Sequence, residues 1–157
     1  METETATPWL SDAEQCAWRT YLDVNRLLTY QLEKDLQPFG LTMNDYEILV
    51  NLSEAEDKRM RMSDLAAATL QSKSRLSHQI TRMEKAELVR REHCESDRRG
   101  LFAVLTDLGG ETMQKVAPHH VASVRNHFVG LLTPEALADL RESLTPVADQ
   151  LRGLRKG

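Results

Sequence analysis

Only two cysteines, Cys16 and Cys94, occur in the 157 residues. That is too few for a disulfide framework or a four-cysteine zinc site, and each is expected to be a buried, structural thiol. No H-x-x-x-H or C-x-x-C pair is present. The adjacent His119 and His120 would project about 100° apart on a helix, so no metal site is expected. The chain lacks a Gly-rich phosphate loop after a strand, a nucleophile elbow and any carboxylate pair that stands apart from surface charge. Those absences argue against an enzyme and against a cofactor. No apolar run approaches membrane-spanning length, and the acidic start has no apolar stretch of the secretory kind; the expected location is the cytoplasm. Repeats, low-complexity runs and long polar tracts are missing too. The length suits a single domain over 1–157 with a real core.

What charge there is lies unevenly. The net charge is −4, which by itself speaks against a nucleic-acid partner. Between Lys58 and Arg99, however, 11 Lys or Arg face 6 Asp or Glu, a net +5, while the rest of the chain holds 9 basic and 18 acidic residues, a net −9. A basic module on an acidic scaffold suits a protein that turns one face to DNA.

The basic module has its own pattern. Ser63 reads as the N-cap of a short helix ending near Thr69. Leu70, Gln71 and Ser72 form a turn, and Ser72 is placed to cap the next helix. From Lys73 to Ala86, Leu76, Ile80 and Met83 recur at steps of four and three, one stripe of a helix. The opposite face carries Ser74, His78, Thr81 and Lys85, flanked by Arg75, Ser77 and Arg82, with no acid before Glu84. Helix, tight turn and polar helix together match what a DNA groove receives. Two strands are expected next, Leu88 to Cys94 and Leu101 to Leu105. The tip between them, Glu95-Ser96-Asp97-Arg98-Arg99-Gly100, is a poor core element and a good minor-groove probe. Asp97 is expected to accept hydrogen bonds from an arginine and hold it extended.

Residues 1 to 10 read as a loose lead-in. Ser11-Asp12-Ala13-Glu14 is a capping box that opens a long helix over 11–37 through Trp18, Tyr21, Leu22, Asn25, Leu28, Leu32 and Leu36; Pro38 and Gly40 end it. Thr42-Met43-Asn44-Asp45 opens a second helix carrying Tyr46, Leu49, Val50 and Leu52. A charged linker follows, with a short strand near Arg59 to Met62. Thr106 is placed to cap a helix through Met113, Val116, Ala117, Val121, Val124, Phe128, Leu131 and Leu132. Gly109 and Gly110 weaken its start by about 1 kcal/mol each, and Pro118 is expected to kink or break it. Thr133-Pro134-Glu135 opens a last helix with Leu137, Leu140, Leu144, Val147 and Leu151.

Asp97-Arg98-Arg99-Gly100, followed by Leu105-Thr106 and Gly109, resembles the wing signature of the MarR family of transcriptional regulators. Ser72-Lys73-Ser74-Arg75-Leu76-Ser77, Arg82-Met83-Glu84 and Leu88-Val89-Arg90-Arg91 are similar to that family's recognition helix and following strand. The likeness runs from about Trp18 to Leu144; Glu87 departs from it where many relatives carry glycine. The resemblance implies a mostly α fold with a small β wing. A winged helix-turn-helix part over 42–106 would carry a helical dimerisation layer from 11–37 and 107–152.

It also implies a homodimeric regulator, a repressor released by a small aromatic or phenolic ligand, on a pseudo-palindromic double-stranded DNA operator. Ser74, Arg75, Ser77 and His78 are the expected base-edge readers, with Ser72 at the head of the same helix. Lys73, Arg82 and Arg91 are expected on phosphates. Arg99, matching the family's wing arginine, is expected in the minor groove beside Asp97, with Arg98 on the backbone. Trp18, Arg19, Tyr21, Leu22, Asn25 and Tyr46 are the candidate effector pocket, with Arg19 available for a carboxylate. Pro118 and the paired glycines are candidate flexing points. Two alternatives stand beside this reading. One is a thiol-redox or metal-responsive regulator of the same fold, although the first-helix cysteine through which some relatives sense oxidants would fall nearer Trp18 than Cys16. The other is a winged-helix protein-interaction module.

Overall fold

The computed structural model describes residues 8–155, the Arg98 side chain excepted; most of the lead-in expected over 1–10 therefore lies outside the described residues. Helix α1 spans Asp12–Leu36 and α2 Met43–Glu54. Strand β1 is Arg59–Arg61, α3 Met62–Ala68 and α4 Lys73–Lys85. Strands β2, Val89–Cys94, and β3, Asp97–Leu105, form the hairpin, followed by α5, Asp107–His127, and α6, Pro134–Leu154.

Local chemistry sets most helix starts. Ser11 and Thr42 each make a full capping box, with Glu14 and Asp45 returning the bond. Ser72, Thr106 and Thr133 accept from the backbone N–H three residues on. Gly40, at φ 70°, closes the one-turn extension of α1. Ser63 does not cap: α3 already begins at Met62, straight out of β1 and without a side-chain cap.

The sheet is antiparallel, ordered β1-β3-β2. Strand β3 starts earlier than the sequence suggests. Cys94 pairs with Asp97 across an irregularity at His93/Cys94, so only Glu95 and Ser96 form the tip and both wing arginines sit on the strand. The core gathers Ile48, Leu49 and Leu52 of α2, Leu65 of α3, Leu76, Ile80 and Met83 of α4, Val89 and Ala103 of the sheet, and Leu36 and Val116 of α1 and α5. The predicted stripe of α4 is thus its buried face.

Proline and glycine each leave a mark on α5, though no break appears at Pro118. The helix runs unbroken through Pro118; Val116 and Ser123 on either side are buried, and that packing outweighs the one hydrogen bond proline forgoes. Gly109 is a point of close approach: a Cβ there would lie 2.1 Å from the Leu88 carbonyl oxygen. Phe128, at φ −143°, ends α5 before the expected Leu131 and Leu132. Helix α1 is tied to α5 by Asp35, which accepts from Gln31 at 2.7 Å and from Ser123, with His127 Nε2 at 3.2 Å.

The turn between α3 and α4 is inverted in polarity. Leu70 adopts φ 56° and is 69% exposed, whereas both polar atoms of the Gln71 amide are buried without a partner. Glu87 likewise takes a left-handed φ of 60° just before β2, the conformation glycine adopts without strain.

Candidate nucleic-acid interface

Helix α4 presents Ser72, Lys73, Ser74, Arg75, Ser77, His78, Thr81, Arg82 and Lys85 to solvent. They do not all remain available. Arg91 of β2 donates to the Ser77 carbonyl at 2.7 Å, the Ser77 hydroxyl at 3.1 Å and the Thr81 hydroxyl at 3.1 Å, and forms an ion pair with Glu84. Arg82 donates both arms of its guanidinium to Asp45, at 3.0 and 2.5 Å. Ser72 is engaged as the N-cap, accepting from the Arg75 amide at 3.2 Å. The expected phosphate contacts Arg82 and Arg91 are therefore engaged by partners within the protein, Arg82 while still half exposed, and the expected base reader Ser77 is held by Arg91. Ser74, Arg75, His78 and Lys73 stay outward-facing, and among the described residues no ion pair engages Lys73, Arg75 or Lys85.

Across from the start of α4 stands the wing. Asp97 Oδ1 accepts from the Arg99 amide at 3.0 Å, and Oδ2 lies 3.7 Å from the Arg61 guanidinium. An arginine does pair with Asp97, as expected, but it comes from β1 rather than from the tip. Arg99 is exposed and unpaired among the described residues. A cleft of about 330 Å³ separates helix from wing, lined by Arg61, Ser63, Lys73, Ser77, Arg91, Asp97 and Arg99. Four cations against one carboxylate make it attractive to a phosphodiester.

Arg61 is the residue that motif reading missed. Its ring-stacking partner is Phe102, 5.5 Å from the guanidinium carbon, with Arg59 on the same ring at 4.9 Å. The signal was the alternation Arg59-Met60-Arg61, which in a strand sends both arginines to one face. Arg61 also donates to Cys94 Sγ at 3.5 Å. A hydrogen bond with the Ser96 hydroxyl, helped by Arg61, holds the Cys94 thiol below its ordinary range. Neither cysteine is buried as expected: Cys94 is half-buried, and Cys16 is exposed on the mostly exposed first turns of α1.

The six candidate pocket residues are not gathered together. Trp18 and Tyr21 stack on α1 with centroids 5.8 Å apart and are about half exposed. Trp18 and Arg19 border a shallow hollow with Trp9, Leu10 and Gln15. Leu22 and Asn25 continue that helix, Asn25 accepting from Thr29 at 3.4 Å. Tyr46 lies apart, 8% exposed, its ring 4.4 Å from that of His120. The two histidines diverge: His119 meets Phe39 at 5.0 Å while His120 meets Tyr46. Among the described residues no cluster of three or more His, Cys, Asp or Glu could hold a metal ion, and no helix is long and apolar enough to cross a membrane.

Comparison with known proteins places this geometry. A sequence profile of the MarR family matches residues 39–100, the segment that carries α2, the helix-turn-helix and the wing arginines. AbsC of Streptomyces coelicolor, a MarR family transcriptional regulator, is 78% identical over 94% of this chain and 99% of its own, with a TM-score of 0.90. Sco3205 from the same organism, solved in complex with DNA, is 42% identical over 94% and 92% of the two chains, with a TM-score of 0.89. The regulator PecS of Dickeya dadantii is 28% identical over 104 residues, 66% of this chain and 63% of its own length, so the match spans less than two thirds of that relative. On the strength of these likenesses, the chain belongs to the MarR family of transcriptional regulators.

Proposed function

We propose that the protein is a cytoplasmic, homodimeric, sequence-specific DNA-binding regulator, a repressor released by a small aromatic or phenolic acid. The observation that carries the DNA reading is the outward face of α4, Ser74, Arg75 and His78, set across a cationic cleft from the free Arg99 of the wing. Helix and wing on one face reach adjacent major and minor grooves. The DNA complex of the 42%-identical relative supports the same use.

The dimer reading rests on α6. None of its residues is buried, and Leu144, Val147, Leu151 and Leu154 are 41–72% exposed. Trp18, Val24, Leu27 and Tyr30 leave α1 in the same condition. An amphipathic helix gains most of its stability by packing its apolar face, and a second copy supplies the matching surface. The effector site then belongs to the assembled dimer, where the α1 aromatics acquire a far wall.

The experiment is selection of duplexes from a random library by the purified protein, then binding across a salt series with and without a panel of aromatic acids. Expected are pseudo-palindromic sites with half-sites about one helical turn apart, affinity falling steeply with salt, and release by one acid. Arg75→Ala should cost about 1–3 kcal/mol and relax preference at one base pair. Selection of no sequence would sink the reading. A second reading, thiol-redox control, draws on Cys94 beside Arg61 next to the tip of the wing; it predicts peroxide-driven release that Cys94→Ser abolishes.

A further inference from the structure

We propose that Asp45 is the positioning residue of the recognition helix: its buried carboxylate fixes the rotation of α4 and so selects which side chains face DNA. The inference rests on the DNA-binding reading above.

The Asp45 side chain is 1% exposed. Oδ2 accepts from the Thr42 amide at 2.9 Å and from Arg82 Nη1 at 3.0 Å; Oδ1 accepts from Gln79 Nε2 at 3.0 Å and from Arg82 Nη2 at 2.5 Å. The helix that carries Asp45 is anchored in the core by Ile48, Leu49 and Leu52, each at 0% exposure. Gln79 and Arg82 are three apart and share one flank of α4. A planar guanidinium on a carboxylate admits one geometry, unlike a flexible point charge.

One such grip leaves α4 a pivot; a second removes it. Arg91 holds Ser77, Thr81 and Glu84 on the other flank. At 100° per residue the two grips stand roughly 150° apart around the helix, and the arc between them carries Ser74, His78 and Lys85. Arg75 lies seven residues before Arg82 on nearly the same line, free of the Asp45 grip, and a rotation of the helix would turn this face away from the side it presents. Breaking the Asp45 grip would also strand a buried carboxylate, so the locked orientation is the stable one.

The test uses the full-length protein with two duplexes, one enriched from a random library by the wild type and one scrambled. Arg82→Lys keeps the charge and loses the fork. It should lower affinity for the enriched duplex about tenfold, the scale of one lost base-pair contact, while scrambled binding and the salt slope stay as in wild type. Asp45→Asn frees the Arg82 fork for phosphate: scrambled binding should tighten and the salt slope steepen by about one contact. Circular dichroism and sedimentation accompany both variants. Because Arg82 is half exposed, Arg82→Lys tests the proposal even if Asp45→Asn unfolds. Wild-type behaviour of Arg82→Lys on both duplexes would overturn it. So would an equal loss on both with a shallower salt slope, which would make Arg82 a phosphate contact. A wild type that enriches no duplex overturns the DNA reading and the clamp together.

Discussion

Arg91 reaches back from β2 to Ser77 on the recognition helix and donates to both its carbonyl, at 2.7 Å, and its hydroxyl, at 3.1 Å. A backbone carbonyl already used by the helix and a hydroxyl at its surface are thereby tied to the wing. The tether joins strand to helix, so under the proposed DNA reading the spacing between α4 and the wing is set within one chain. Arg91→Ala is expected to cost about 2 kcal/mol of stability, the scale of hydrogen bonds from a charged donor, and to weaken specific DNA binding. Urea unfolding at fixed protein concentration checks the first; unchanged stability would show the tether to be idle.

Gln71 carries a buried amide with neither its nitrogen nor its oxygen hydrogen-bonded. Replacing it by leucine removes the desolvation cost and keeps similar volume. Gln71→Leu is expected to stabilise the protein by about 1–2 kcal/mol, a rise of about 2–8 °C in melting temperature for a chain of this size. A lower melting temperature would mean that the amide has a partner in solution.

Neighbouring glycines at the start of α5 should answer alanine in opposite ways. At Gly109 the new methyl would meet the Leu88 carbonyl oxygen at 2.1 Å, whereas at Gly110 the nearest heavy atom is Leu105 Cδ2 at 4.0 Å. Gly109→Ala should lose about 3 kcal/mol or fail to fold. Gly110→Ala should gain about 1 kcal/mol from helix propensity. Equal effects at both sites would contradict the close approach.

Burial lowers the His120 pKa from 6.5; its ring packs on Tyr46 and its Nδ1 is buried without a partner. The folded protein therefore binds this proton more weakly than the unfolded chain. Stability from neutral His120 is fully present above about pH 6.5 and declines as pH falls below it. Thermal unfolding between pH 7.5 and 5 should show that decline, and His120→Phe, which keeps a ring against Tyr46, should flatten it. An identical pH profile in the variant would assign the decline to other groups.

Val147 and Leu151 are 52% and 58% exposed on α6. If a second copy covers them, Leu151→Glu should shift sedimentation toward monomer and remove high-affinity DNA binding, since one half-site contact remains. A variant that sediments as wild type would place the interface elsewhere.

The amino-acid sequence by itself determined the elements whose causes lie within a few residues. The caps at Ser11, Thr42, Ser72, Thr106 and Thr133 each close a bond three residues away, so nothing distant is needed to form them. The Leu76, Ile80, Met83 stripe and the wing arginines were legible for the same reason: periodicity and a short motif are local. The tertiary structure alone decided which polar side chains remain free. Asp45 meets Gln79 and Arg82 across separations of 34 and 37 residues, Arg61 meets Cys94 across 33, and Asp35 meets Ser123 across 88. Arg75 and Arg82 look alike on a helix drawn from sequence. They differ because a buried carboxylate from another helix lies opposite one and not the other, and in a low-dielectric interior that carboxylate is stable only with its hydrogen-bonding capacity filled.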